Sequence, residues 1–502
     1  MKKDTFYVTT PIYYVNSKPH LGTVYSTVAA DIIARFKRMQ GKDVFFLTGS
    51  DEHGEKVALT AKKHNKEPKE WVDEIVATYK LLWDRLNISY NKFIRTTDKE
   101  HEKTVAKILE ILKEKNLIYE GSYTGLYCLE CERFYTKKEL VDNKCPFHQK
   151  DLVNLKEKCY FLKLSAFQKP LIKLIEEGEF RIEPEKRKNE ILGFLTTERL
   201  EDVAISREKV KWGVQIPWDR EQTVYVWVDA LINYLSGLGW KGDPKKTSKY
   251  WPPDCQIIGK DILRFHTLLW GAIILSLEIP LPKLIFVHGF LTLEGQKMSK
   301  SLGNVIEPDK LIDIFGSDAT RYLLFSFFSF GEDCDISLSK FYDEYNAKLA
   351  NGYGNLISRT LTLALGKGEI KLKKVDKKFE KKVSACWRDY DASMEGLKFN
   401  QALEVFQALI AFCNEYIDKK KPWELLKKDK EGFEEVIYNL TEAIRHLNWM
   451  ILPFMPEKAN QIFELLGLGK TEYEKSQELA KEWAEVKVYK ISEKIERIFP
   501  RL

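Results

Sequence analysis

The sequence predicts an α/β protein in which a doubly wound parallel sheet is split by an insertion and followed by an all-α helix bundle. Strand-like and amphipathic helical segments alternate from Thr5 to about residue 113. The alternation then stops and resumes near residue 223. After about Ser337 the strand-like segments end and helical periodicity continues alone.

The first half of the sheet is predicted within residues 1–114 and the second within residues 223–292. Strand-like segments in the first half are followed by helical ones, as in crossover connections between parallel strands. We expect strands at residues 5–10, 43–48, 223–227, 255–259 and 284–289, and helices at residues 21–40 and 67–86. Ligands of such a sheet bind where the strand order reverses.

Helical segments dominate the rest of the chain. Residues 293–337 are predicted to link the sheet to the bundle, which takes up residues 338–470. Residues 471–502 are predicted to form a charged helical tail that packs back on the bundle. Within the bundle, helices are expected at residues 341–365, 376–393, 400–419, 423–428 and 433–451.

Composition narrows the class of protein. Hydrophobic residues make up 44% of the 502 residues, which is enough for large cores, and the net charge of +6 is too small for a general polyanion binder. We find no apolar run of membrane-spanning length and no signal segment before the first strand, so we expect a cytoplasmic protein without a membrane partner. Eight cysteines in so long a chain do not indicate a disulfide framework.

Two short motifs predict a site for ATP. The first, Pro-His-Leu-Gly at residues 19–22, lies where the first strand turns into a helix, and the N-terminus of a helix attracts phosphate. Gly22 lets a nucleotide approach the backbone, and His20 offers a ring nitrogen to a phosphate oxygen. The second, Lys-Met-Ser-Lys-Ser at residues 297–301, brings mobile positive charge to a transferred phosphate. Either motif alone is also explained by chance or by a solvated turn, but together they favour ATP.

The insertion, residues 115–222, contains a predicted zinc site. Cys128 and Cys131 are separated by two residues, as are Cys145 and His148, and two such pairs suit a tetrahedral zinc. Four protein ligands leave no open position for water, so this zinc, one per chain, would be structural. The alternative is a set of unrelated cysteines with a surface histidine.

With these motifs the chain resembles the class I aminoacyl-tRNA synthetases and, among them, the methionyl-tRNA synthetases. The resemblance extends over nearly the whole chain. The family carries a His-Ile/Leu-Gly-His motif and a Lys-Met-Ser-Lys-Ser loop; this sequence keeps the second intact and has Thr23 where the first usually has its second histidine. The resemblance implies a Rossmann-like nucleotide-binding domain, a zinc knuckle in the insertion and an anticodon-binding bundle.

The implied reaction joins methionine to tRNA in two steps. Methionine reacts with ATP, accompanied by Mg²⁺, to give methionyl-adenylate, and the methionyl group then passes to the 3′ end of tRNA(Met). The residues implied in catalysis are His20, Gly22, Lys297 and Lys300. Those implied in ATP binding are His20, Gly22, Thr23, Gly259, Asp261, Lys297, Ser299 and Lys300.

The resemblance also implies a methionine pocket. Asp51 follows the second strand, where its carboxylate can pair with an ammonium group, although a solvated loop acid or a helix cap would look the same. Trp227, Ala230 and Tyr234 have the spacing of one helix face, which is also typical of plain core. The residues that match the family's methionine site are Ile12, Tyr14, Asp51, Trp227, Ala230, Tyr234, Ile262, Phe265, His266 and Trp270.

Three residues of the bundle match the family's anticodon readers: Asn355, Arg359 and Trp423. A tryptophan can stack on an unpaired base, and asparagine and arginine can bond base edges. Without the family, Trp423 would be assigned to the core and Arg359 to the solvated surface.

Two other functions stay open at this point. One is a class I synthetase for another amino acid, and the other is a non-catalytic tRNA-binding paralogue, which Thr23 would favour. Many relatives carry a C-terminal tRNA-binding and dimerisation barrel. Because this chain ends at Leu502, soon after the bundle, we expect a monomer, and whether a separate subunit supplies the barrel is open.

Overall fold

The computed structural model of the protein describes residues 4–129, 133–135, 140–146, 149–293, 296–297, 306–469, 472, 475–492 and 496–502. Its centre is a six-stranded sheet in which every neighbouring pair is parallel. In chain order the strands are β1 (Thr5–Tyr14), β2 (Asp43–Asp51), β3 (Lys92–Arg95), β4 (Arg181–Glu183), β5 (Cys255–Gly259) and β6 (Leu284–His288).

The strand order is β3-β2-β1-β5-β6-β4, so the direction of winding reverses between β1 and β5. Residues 6–10 of β1 and all of β5 are buried, as expected for strands covered on both faces. The predicted parallel α/β sheet is confirmed.

Helices cover both faces of this sheet. The first, α1 (Leu21–Met39), joins β1 to β2 and agrees with the helix predicted there. In the described part of residues 4–293 the other α-helices are Glu55–Lys63, Pro68–Arg85, Lys99–Glu114, Gln168–Glu176, Glu185–Thr197, Val226–Leu231, Asn233–Ser236 and Trp270–Ser276. A π-helical turn, Phe265–Leu269, leads into the last of these.

The predicted insertion contains an antiparallel sheet and also completes the central one. Its longest strands, Ile118–Cys128 and Val153–Leu162, pair along their length, with Arg133–Tyr135 and Val203–Ala204 at the edges. β4 also lies in this segment and pairs with β6, an edge strand that the sequence did not reveal.

The strand predicted at residues 223–227 is wrong. Thr223 and Val224 end a strand, Asp219–Val224, of a small antiparallel sheet, and the helix Val226–Leu231 begins two residues later. A short apolar run is consistent with a buried strand or a buried helix, and periodicity alone does not distinguish them.

The C-terminal part is helical, as predicted. Among the described residues from 306 onward, its α-helices include Pro308–Phe315, Ser317–Ser326, Leu338–Glu344, Gly354–Ala364, Lys377–Glu395, Phe399–Lys420, Pro422–Lys428, Lys430–Ile451, Pro456–Leu465 and Gln477–Ala480, with a π-helical segment at Tyr345–Tyr353. None of the helices in the described ranges is both long enough and apolar enough to cross a membrane.

The helical tail predicted at residues 471–502 is wrong in its secondary structure. Among its described residues, Glu472 and Gln477–Ala480 are helical, and Val488–Lys490 is a strand that pairs with Glu369–Lys371 of the bundle. Tyr489 is fully buried and donates its hydroxyl hydrogen to Glu442, so packing against the bundle favours an extended backbone here. The expectation that the tail packs back holds.

Candidate active site

A cavity of about 400 Å³ lies at the carboxyl ends of the parallel strands, where the strand order reverses. It gathers residues predicted for two substrates from distant parts of the chain. The predicted residues that line it are Ile12, Tyr14, His20, Gly22, Thr23, Asp51, Trp227, Ala230, Tyr234, Gly259, Asp261, Ile262, Phe265 and His266.

One end of the cavity is the N-terminus of α1, which His20 caps. The Nδ1 atom of His20 accepts a hydrogen bond from the backbone N–H of Gly22 at 3.1 Å. The Thr23 hydroxyl donates to the carbonyl oxygen of His20 at 2.6 Å and accepts from its backbone N–H at 3.2 Å. Thr23 is buried, and its hydroxyl is used to hold His20 in place. This end presents backbone N–H groups and the positive end of a helix dipole to an anion.

The opposite end is aromatic and neutral. The rings of Trp227 and Phe265 stack with centroids 3.9 Å apart. Beside them, the Tyr234 hydroxyl lies 2.8 Å from Nε2 of His266, whose Nδ1 lies 3.0 Å from the carbonyl oxygen of Ile262. Because a carbonyl only accepts, Nδ1 carries the proton and Nε2 accepts from Tyr234.

Burial keeps both of these polar groups uncharged. It lowers the pKa of His266 to about 4 and raises the pKa of Tyr234 above its usual range. An imidazole and a phenol that are both neutral at pH 7 make a pocket suited to an uncharged, polarizable side chain.

Trp270 does not line the cavity, although it was predicted among the pocket residues. Its ring packs 5.4 Å from that of Tyr234, and its Nε1 donates to Oε1 of Gln256 at 3.1 Å. It is fully buried behind Tyr234 and supports the pocket wall from outside.

Asp51 ends β2 at the rim of the cavity. The neighbouring acid, Glu52, is fully buried and already occupied: Arg95 donates to its Oε1 and Thr97 to its Oε2, each at 2.6 Å. Of these two adjacent carboxylates, Asp51 lines the cavity and Glu52 does not.

Sequence reasoning missed several residues of the cavity wall. His288 ends β6; its Nδ1 lies 2.7 Å from the carbonyl oxygen of Gly289 and its Nε2 lies 2.7 Å from Oγ of Ser26 on α1. Its position at the carboxyl end of a predicted strand was the available signal. The other lining residues outside the prediction are Pro11, Tyr13, Asn16, Ser17, Tyr79, Tyr135, Val226, Leu231, Asn233 and Phe290.

Family profiles match both parts of the chain. The profile for class I tRNA synthetases of the methionine type, "tRNA synthetases class I (M)", matches residues 6–155 and 138–361, and "Anticodon binding domain of methionyl tRNA ligase" matches residues 368–499. The chain belongs to the methionyl-tRNA synthetase family. The family predicted from the motifs is thereby confirmed.

Relatives of this family are similar over most of their length. The methionine–tRNA ligase of Caldanaerobacter subterraneus is 44% identical over 475 residues, covering 93% of this chain and 74% of that protein. The one from Clostridium acetobutylicum is 42% identical over 510 residues, covering 100% and 79%. Among solved structures, the Mycobacterium tuberculosis methionyl-tRNA synthetase in complex with methionyl-adenylate is 33% identical, with a TM-score of 0.93 over 99% of this chain and 100% of that one.

The loop that follows the cavity is described in part. Lys297 lies in a short strand, Gln296–Lys297, paired with Leu291–Leu293, so the backbone of this synthetase leads from the cavity toward the loop. Ser299 and Lys300 lie outside the described residues.

Half of the predicted zinc ligands are described. Cys128 and Cys145 are buried in one small cluster with Tyr135, whose hydroxyl lies 3.8 Å from Sγ of Cys145. Cys131 and His148 lie outside the described residues, and the described ones contain no group of three potential ligands. Two buried sulfur atoms in one cluster fit a thiolate metal site.

The three predicted anticodon residues lie on the surface of the bundle. Arg359 and Trp423 line a shallow depression, and Nη2 of Arg359 lies 3.1 Å from Oδ1 of Asp418. Asn355 is exposed one helical turn away. Trp423 is 44% exposed, so the alternative that it belongs to the core is wrong.

Proposed function

We propose that the protein activates methionine with ATP to form methionyl-adenylate and transfers the methionyl group to the 3′ end of tRNA(Met). One observation carries the proposal: a single cavity combines an anion-binding helix N-terminus with a neutral aromatic pocket, in a chain of this family. The M. tuberculosis synthetase of the same fold, solved with methionyl-adenylate, supports it.

The first step needs positioning and charge neutralisation more than a nucleophilic side chain. The carboxylate of methionine attacks the α-phosphate. The bond from that phosphate to the β-phosphate oxygen breaks, and pyrophosphate leaves. The N-terminus of α1 and His20 hold the phosphates, while Lys297 and Lys300 offset the charge that develops on the leaving group. Mg²⁺ would be bound together with ATP and would supply further charge neutralisation. A hydroxyl of the tRNA 3′ end then attacks the carbonyl carbon of the methionyl group, so that an ester bond forms, the bond from that carbon to the phosphate oxygen breaks and AMP leaves.

Selection of methionine would depend on the two ends of its pocket. Asp51 pairs with the ammonium group, and the stacked Trp227 and Phe265 with the neutral Tyr234–His266 pair surround the thioether. Sulfur is polarizable and favours aromatic contacts, whereas a branched aliphatic side chain fills the same space less well. Gly259 and Asp261, at the end of β5, would hold the ribose of ATP.

The insertion would bind one structural zinc through Cys128, Cys131, Cys145 and His148. The burial of Cys128 and Cys145 in one cluster supports this. Asn355, Arg359 and Trp423 would read the anticodon, and the exposure of Trp423 supports a stacking role. The monomeric state and the cytoplasmic location remain predictions, which sedimentation and cell fractionation would test.

The test of the function is methionine-dependent exchange of labelled pyrophosphate into ATP without tRNA. We expect exchange with methionine and background levels with leucine, isoleucine, valine and cysteine. Exchange driven by another amino acid would assign the protein to a different specificity. No exchange with any of the five would contradict catalysis.

A further inference from the structure

A buried network of hydrogen-bonded polar groups, called here the Asp229 network, lies directly behind the methionine pocket. The carboxylate of Asp229 is bonded at both oxygens: Nδ1 of His53 lies 2.7 Å from Oδ2, and Nε2 of His101 lies 2.9 Å from Oδ1. Asp229 is 1% exposed, His53 4% and His101 fully buried. The proposed reaction uses none of these three groups.

These groups connect elements that form the pocket wall. His53 follows Asp51 by two residues, at the end of β2. Asp229 lies on the helix Val226–Leu231, between the cavity residues Trp227 and Ala230.

The Asp229 network continues through His101 on the other side of Asp229. Nδ1 of His101 lies 2.7 Å from Oγ of Ser236, on the short helix Asn233–Ser236 that carries Tyr234. Hydrogen bonds therefore link the turn of Asp51, the helix of Trp227 and the helix of Tyr234.

The protonation states of the groups in the Asp229 network are mutually compatible. Burial acts to raise the pKa of Asp229, but the two imidazoles outweigh it and bring that pKa to about 2, so the carboxylate is ionised. Burial acts to lower the pKa of His53, but Asp229 outweighs it and the pKa is raised. Because a carboxylate only accepts, Nε2 of His101 donates to Asp229, and its Nδ1 faces Ser236, whose hydroxyl also donates to the carbonyl oxygen of Asn233 at 3.3 Å.

We propose that Asp229 is a positioning residue for the methionine pocket, which it assembles by holding His53 and His101 from two other elements against the helix of Trp227. The inference rests on the proposed function. The hydrogen bonds that orient His20 at the ATP end involve none of the residues of the Asp229 network. Loss of Asp229 should therefore disturb methionine binding and leave ATP binding intact.

Two substitutions of His53 can separate its hydrogen bond from its volume. Asparagine in place of His53 keeps an N–H donor near the position of Nδ1, whereas leucine keeps the volume and loses the donor. If His53 acts by donating to Asp229, His53→Asn should resemble the wild type and His53→Leu should not. A merely space-filling histidine would give the reverse ranking.

The experiment measures KM for methionine and for ATP separately, in pyrophosphate exchange by the full chain. We expect Asp229→Asn and His53→Leu to raise the methionine KM about tenfold or more, with the ATP KM within about twofold and the methionine KM of His53→Asn near the wild type. The matched control is Glu442→Gln. Glu442 is another fully buried carboxylate, held in the bundle by Arg445 and the backbone N–H of Ala484. This control should lower the thermal midpoint and leave the methionine KM unchanged.

Three results would overturn the inference. One is a methionine KM within about twofold of wild type in both Asp229→Asn and His53→Leu. The second is a parallel rise of the methionine and ATP KM values. The third is an equal effect of asparagine and leucine at His53. Either of these would make the Asp229 network structural only. Should Asp229→Asn fail to fold, the pair of substitutions at His53 decides. Absence of methionine exchange by the wild type would instead refute the proposed function, and this inference with it.

Discussion

Replacing Tyr234 by phenylalanine removes one hydroxyl from the wall of the methionine pocket. That hydroxyl donates to Nε2 of His266 at 2.8 Å, and the bond of Nδ1 to Ile262 prevents the imidazole from simply reversing its tautomer. A water molecule that enters to satisfy Nε2 would have to leave when methionine binds. The cost should therefore appear in methionine binding.

The magnitude follows from the burial of both partners. Leaving a buried acceptor without its hydrogen bond costs about 1–3 kcal/mol. If this cost falls on methionine binding, KM for methionine rises by about 5- to 150-fold. Pyrophosphate exchange with methionine varied at saturating ATP measures this, and ATP varied at saturating methionine shows whether the effect is confined to one substrate.

Tyr7→Phe is the matched control. Tyr7 is also fully buried, and its hydroxyl donates to the backbone carbonyl oxygen of Tyr234 at 2.9 Å, but it does not line the cavity. Its loss should lower the thermal midpoint and leave the methionine KM within about twofold. A change of the methionine KM in Tyr234→Phe no larger than that in Tyr7→Phe, or an equal rise of the ATP KM, would contradict a role of the Tyr234 hydroxyl in methionine binding.

Three further outcomes are expected. Trp423→Ala should raise KM for tRNA(Met) about tenfold by loss of base stacking, whereas Leu426→Ala, an exposed side chain of the same helix, should not; equal effects would contradict the anticodon role. Cys145→Ser should lose zinc in metal analysis, whereas Cys159→Ser should keep it; zinc retained in Cys145→Ser would contradict the site. His266 has its pKa lowered from 6.5 to about 4, so the unfolded chain binds more protons between these values, and the free energy of unfolding falls by up to about 3 kcal/mol as pH drops through them. The thermal midpoint of His266→Gln should therefore lie closer to that of the wild type at pH 5 than at pH 7.5. An equal difference between the two proteins at both pH values would contradict this.

The strands of the central sheet were predictable where burial on both faces makes the whole segment apolar. This holds for β1, β2, β5 and β6. It fails for β4, whose three residues, Arg181–Glu183, include one apolar side chain and give no pattern.

The site was predictable in part for a similar reason. Residues at the ends of predicted strands, such as Asp51 and Gly259, could be placed at one edge of the sheet from the sequence alone. The link between Asp229 and His53 joins residues 176 positions apart and has no local signal. Thr23 stands where the family usually has its second histidine, but its hydroxyl bonds the backbone of His20, the residue that caps α1, and this depends on backbone geometry.

The most direct test of the proposed activity is the transfer of labelled methionine to tRNA(Met) by the zinc-loaded, folded chain. We expect label on tRNA(Met) that requires ATP and is lost when His20 is replaced by alanine. Absence of labelled tRNA under these conditions, or equal charging with and without ATP, would contradict it.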